Sequence, residues 1–152
     1  MIKLSEAIQI SSNTSEEVLK EVLKDMIEML EEEFWVSIEK GYEGNSYWIP
    51  TPKEELEEDS DDILGIIEID IELTTFEKIC ALAHELGHYF LDQDEDFWKD
   101  THLIFKESLA WYLGYKYFKE SGCIIDLEEY RQESSRCLEL YVRSLNESSD
   151  NK

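Results

Sequence analysis

The chain has 152 residues, with 37 Asp and Glu against 14 Lys and Arg, a formal charge of −23. That length predicts one domain, and 42% apolar residues with 12% aromatics suffice for a packed core, against wholesale disorder. The charge argues against direct binding to nucleic-acid phosphate, which needs Lys and Arg, and against docking on anionic membrane. No uncharged apolar run approaches a membrane span. The first ten residues lack the apolar core and cleavage site of a signal peptide. Three cysteines, Cys80, Cys123 and Cys137, are odd in number and widely spaced. They read as reduced thiols, so a cytoplasmic protein is expected.

The opening ten residues either form a short strand or stay loose. Thr14 stands three residues ahead of Glu17, a capping-box spacing. Val18, Val22, Met26, Met29 and Leu30 then recur at helical spacing, which predicts a helix over about 15–32. Phe34 to Ile38 is aromatic and β-branched and reads as a strand. Gly41 to Ser46 looks like a hairpin loop returning into a strand at Tyr47-Trp48-Ile49, ended by Pro50 and Pro52. The acid-rich stretch 54–62 reads as a solvated loop. Over 63–73, Ile67, Ile69, Ile71 and Leu73 alternate with Glu68, Asp70 and Glu72. Period two with one acidic face predicts a strand with one side buried and the other wet.

Thr74 or Thr75 caps the next helix, with Thr74 three residues before Glu77. That helix is expected over about 76–91, followed by an acidic loop over 92–100. A further helix over about 103–119 is stopped by Ser121-Gly122. Asp126 caps a last helix ending near Leu145, and 146–152 form a flexible tail. The fold class expected is therefore α+β. A small antiparallel or mixed sheet packs on the central helix and two to three further helices, in one domain over 1–145.

The helix from Phe76 carries His84-Glu85-Leu86-Gly87-His88. Residues four apart share a helix face, so His84 and His88 can hold one zinc ion. Glu85 sits about 100° round the helix and can reach a water at the metal as general base without taking a ligand position. Ile79, Leu82, Ala83, Leu86 and Phe90 form the core stripe, which leaves the histidine face free for a cleft. Cys80, one turn before His84, reads as a small packing residue. Gly87 reads as a point of close approach by another segment.

A catalytic zinc site has three protein ligands and an open position. Candidates for the third are Asp92, Asp94, Glu95, Asp96, His102 and Glu107. Glu107 is favoured. It lies three or four residues from Leu103, Ile104, Ala110 and Trp111, within the inward stripe of its helix. An inward carboxylate is costly unless paired or metal-bound. Asp92, one turn beyond His88, is the reserve. His102, Tyr112 and Tyr115 are candidates for an oxyanion or substrate contact, and Tyr89 could also donate a hydrogen bond.

Taken together, these elements resemble the ImmA/IrrE type of metallopeptidase-like domain, a compact zincin. The resemblance covers roughly 64–118. It rests on the isoleucine-rich strand, the short turn, the His84-Glu85-Leu86-Gly87-His88 helix, and Glu107-Ser108-Leu109-Ala110 on the next helix. The metzincin extension is missing, since Leu91 and Asp94 stand where its Gly and third His would be. Trp111 also departs from the family pattern, where a small polar residue is common. The resemblance implies His84, His88 and Glu107 as zinc ligands and Glu85 as catalytic base. It implies a peptidase that cuts a regulatory protein, often a phage-type repressor, in bacteria, phage or mobile elements.

The leading expectation is a zinc-dependent endopeptidase in which the strand 66–72 borders the cleft and pairs with an extended substrate. The substrate would be a basic regulatory protein, attracted by the acidic surface. An alternative is an acidic binding or inhibitor protein, a nucleic-acid mimic or phage counter-defence factor, with a structural or vestigial zinc. A third reading makes the acidity an adaptation to high salt.

Overall fold

The computed structural model describes residues 6–41, 45–56 and 63–150. In chain order these form β1 (Ile8–Ile10), α1 (Glu16–Leu30), β2 (Phe34–Glu39), β3 (Tyr47–Pro50), a 3-10 turn at Lys53–Glu55 and β4 (Gly65–Asp70). Then follow α2 (Thr75–Gln93), α3 (Glu95–Trp98), α4 (Leu103–Glu120), β5 (Cys123–Ile125) and α5 (Leu127–Asp150). The α+β class stands. Among the described residues no helix is long and apolar enough to cross a membrane.

Helix α1 starts one residue later than the capping spacing suggested. The Thr14 hydroxyl is taken by the Ser11 amide within a local turn, and Ser15 caps the helix by accepting from the Val18 amide. The buried stripe is Leu19, Val22, Leu23, Met26 and Leu30, so it is turned slightly from the expected one and leaves Val18 exposed.

The expected β2–β3 hairpin does not form. Strand β4 lies between them, parallel to β2 and antiparallel to β3. Part of the expected hairpin loop, 42–44, and most of the acidic stretch, 57–62, lie outside the described residues. Central placement also changes what β4 buries. Ile67 and Ile69 enter the core as expected, but Glu68 and Asp70 are buried too, while Ile71 is 52% exposed. Asp70 is held because it satisfies backbone: its Oδ1 accepts from the Gly41 and Glu72 amides, both at 3.3 Å. A carboxylate that terminates neighbouring loops is protected from the cost of burial.

A second, two-stranded sheet joins the first strand to the segment between α4 and α5. β1 runs parallel to β5, with Ile8 opposite Cys123 and Ile10 opposite Ile125. Gly122, at φ 102°, turns the chain out of α4 into β5. The acidic stretch after α2 is ordered as α3 rather than loop, and α5 runs on to Asp150, past its expected end near Leu145.

Helices α2 and α4 cross in direct backbone contact. A Cβ on Gly87 would sit 1.8 Å from the Ala110 carbonyl oxygen, and a Cβ on Gly114 would sit 1.8 Å from that of Ala83. Each glycine thus receives the other helix's backbone. This reciprocal pair sets the spacing that positions the site.

Candidate metal centre

Thr74 begins the helix that carries the motif. Its hydroxyl accepts from the Glu77 amide, and the Glu77 carboxylate accepts from the Thr74 amide, a complete capping box. Ile79, Leu82, Ala83 and Leu86 are buried against the core, and Cys80 is fully buried beside them. Burial holds the Cys80 thiol well above its ordinary pKa, so it stays protonated and inert. The histidine face is left clear.

On that face, His84 Nε2 lies 3.1 Å from His88 Nε2. Glu107 reaches both from α4: Oε2 is 2.9 Å from His84 Nε2, and Oε1 is 3.4 Å from His88 Nε2. The α2–α4 glycine crossing explains this reach, because Glu107 is one turn before Ala110, the residue whose carbonyl rests on Gly87. Bonds of 2.0–2.1 Å from a tetrahedral zinc would separate its ligand atoms by about 3.3 Å. The histidine–histidine separation and the approach of one carboxylate oxygen to each imidazole are close to that value, so the three side chains suit a shared divalent ion.

The flanking residues hold the histidines in orientation. The Trp111 ring stacks on His84 with centroids 4.3 Å apart and planes 8° off parallel. Trp111 is itself fixed by Tyr130, which meets it edge-on and donates its O–H to the Trp111 carbonyl at 2.5 Å. A flat aromatic surface at this position locks the imidazole plane, which gives Trp111 a purpose. Glu85 Oε1 stands 3.4 Å from His84 Nδ1. Burial raises the Glu85 carboxyl above the usual carboxylate range, although the two histidines pull it down. Among the described residues, His84, Glu85 and His88 also form one group of possible ligand atoms within 4.8 Å. Glu85 is the buried member of that group, and Glu107 approaches the two Nε2 atoms more closely.

The other ligand candidates are employed elsewhere. Asp92 accepts from the Trp48 indole N–H at 2.7 Å, which ties β3 to α2. Trp48 completes an edge-to-face cluster with Phe34 and Tyr89. Asp94, Glu95 and Asp96 are exposed at the start of α3. His102 caps α4, its Nδ1 accepting from the Ile104 amide at 3.1 Å. It does not line the cleft. Nor do Tyr112, 59% exposed, and Tyr115, which packs on Tyr130.

A cleft of about 690 Å³ is lined by His84, His88 and Glu107 among its residues. One boundary is the stretch Asn45 to Trp48, which includes the start of β3. Strand β3 is an edge strand, whereas β4 is paired on both sides and has no free edge. The strand expected to meet an extended ligand is therefore the central one, and the strand at the cleft is its neighbour. Another boundary is α5, through residues that include Glu133, Arg136 and Tyr141. Arg136 is already engaged, 2.5 Å from Glu133 and 3.8 Å from Glu77. Nothing local marks α5 as facing the site, because its amphipathic pattern does not say what it packs on.

Comparison with protein-family models, curated proteins and solved structures finds no match to this chain.

Proposed function

We propose that the chain is a zinc-dependent endopeptidase, a compact zincin-like domain resembling the ImmA/IrrE type, acting on a basic regulatory protein. The observation that carries this reading is the convergence of His84, His88 and Glu107 at 2.9–3.4 Å, beneath an open cleft and beside a buried glutamate. Zinc, when bound, would act as a Lewis acid toward the scissile carbonyl and would acidify water.

The chain's own residues would do the rest. The unpaired edge of β3 would receive an extended peptide by strand addition. Glu85 would take a proton as the water oxygen adds to the carbonyl carbon, then pass it to the amine as the C–N bond breaks. Burial makes Glu85 a better base than a solvated carboxylate, because its raised pKa lies closer to neutrality. Asp92 and Glu133 add negative charge to the cleft, and its one arginine is neutralised by Glu133 and Glu77. A basic substrate segment suits that lining, and the formal charge of −23 would speed its arrival.

The same charge favours a second reading, in which the protein occupies a basic partner as an acidic inhibitor or nucleic-acid mimic and any zinc is structural. One experiment separates them. Wild type and Glu85→Gln are incubated with a panel of basic DNA-binding proteins, with and without chelator, and products are sequenced. The hydrolytic reading expects Glu85→Gln to keep zinc and fold while cleavage falls by at least about 100-fold. Cleavage retained in Glu85→Gln would remove Glu85 from its role. Inhibition of a partner that survives both Glu85→Gln and chelation would favour the second reading.

A further inference from the structure

Hydrolysis of a peptide bond places negative charge on the carbonyl oxygen as its carbon becomes tetrahedral, and a donor aimed at that oxygen is a large part of catalysis. The residues that the sequence suggested for this task, His102, Tyr112 and Tyr115, do not line the cleft. Arg136 lines it but is already paired with two carboxylates.

The wall made by α5 offers another group. Glu133, Arg136, Cys137, Leu140, Tyr141 and Ser144 all line the cleft. Their spacing of three and four places them on one helix face. Tyr141 is half-buried there. Its hydroxyl makes no hydrogen bond to a described residue, whereas the buried Tyr130 hydroxyl is spent on the Trp111 carbonyl. Burial and the nearby Glu107 carboxylate both raise the Tyr141 phenol, so it is protonated and able to donate at neutral pH. Tyr141, Glu107, His84 and His88 all line the same cleft.

Resting on the hydrolase reading, we propose that Tyr141 is a catalytic residue that donates its O–H to the developing oxyanion of the substrate. It forms no covalent bond and gives up no proton. Helix α5 would then be a working wall of the site, although it lies outside the stretch that carries the zincin resemblance. Tyr112, 59% exposed and outside the cleft, serves as the internal control.

The test uses the zinc-loaded full chain and two probes. Acetohydroxamate reports an open metal position. An alanine-flanked phosphinic peptide carries a tetrahedral anion and reports the oxyanion donor. Tyr141→Phe should keep zinc, fold and hydroxamate affinity, and should lose about 100-fold in affinity for the phosphinic peptide. Tyr112→Phe should keep both affinities. Equal phosphinic-peptide affinity in wild type and Tyr141→Phe overturns the assignment. So does a loss in Tyr112→Phe instead, or a wild type that takes the hydroxamate and not the phosphinic peptide. A zinc-loaded wild type that binds neither probe overturns the hydrolase reading itself.

Discussion

The two histidines and Glu107 impose opposite demands with and without a metal. In the metal-free protein, burial works against charge on His88, but its hydrogen bond to Glu107 together with the charges of Glu85, Glu107 and Asp92 raises it above its ordinary 6.5. Burial likewise opposes charge on Glu107, yet hydrogen bonds from both imidazoles hold it far below the usual carboxylate range. The signs follow from linkage. The contribution of His88 is complete below its unfolded pKa and is lost as pH rises through the raised folded value. The contribution of Glu107 is present above 4.5 and is lost only as pH falls through its depressed value. Glu85, raised mainly by burial, also folds more readily when protonated, so its contribution fades as pH rises. The chelated protein should therefore lose thermal stability as pH rises through and above 6.5. Zinc affinity should rise over the same range, because imidazoles ligate only when neutral. Stability of the chelated protein that stays flat or climbs across that window would contradict the electrostatics of the cluster.

Among the elements, the α2–α4 crossing matters most to the site. Gly87→Ala would drive a methyl group into the Ala110 carbonyl oxygen, 1.8 Å away, so the helices must part. Overpacking of this kind costs about 1–3 kcal/mol, and in a domain of this size each kcal/mol shifts the midpoint by about 2–4 °C. The separation also draws Glu107 off the histidines, so zinc affinity should fall with the midpoint. Calorimetry with a zinc titration measures both, and unchanged values in Gly87→Ala would show that the crossing is not what positions Glu107. This element was largely legible in the sequence. Four-residue spacing, the Thr74–Glu77 capping box and Gly87 are local signals, and Glu107 stood out as an acid in an apolar stripe. The sheet was less legible, because its order is set by pairings between distant segments. Nothing local tells that β4 enters between β2 and β3, or that Asp70 is buried to satisfy the amides of Gly41 and Glu72. Short β5 was hidden for the same reason: three residues become a strand only because β1 lies alongside. Trp111 departs from the family pattern in sequence, and only the fold lays its ring flat against His84.

At the scale of the whole molecule, a strongly anionic chain surrounds a donor set that suits a cation. Charge repulsion among 37 acids opposes compactness, and a divalent ion at the α2–α4 crossing would offset part of it at the point where three elements meet. Two imidazoles from one helix and a carboxylate from the next are therefore the central claim. Metal analysis of purified wild type beside His84→Ala tests it most directly. The account predicts one zinc per chain in the wild type and its loss in the variant. Equal metal content in the two proteins would contradict it.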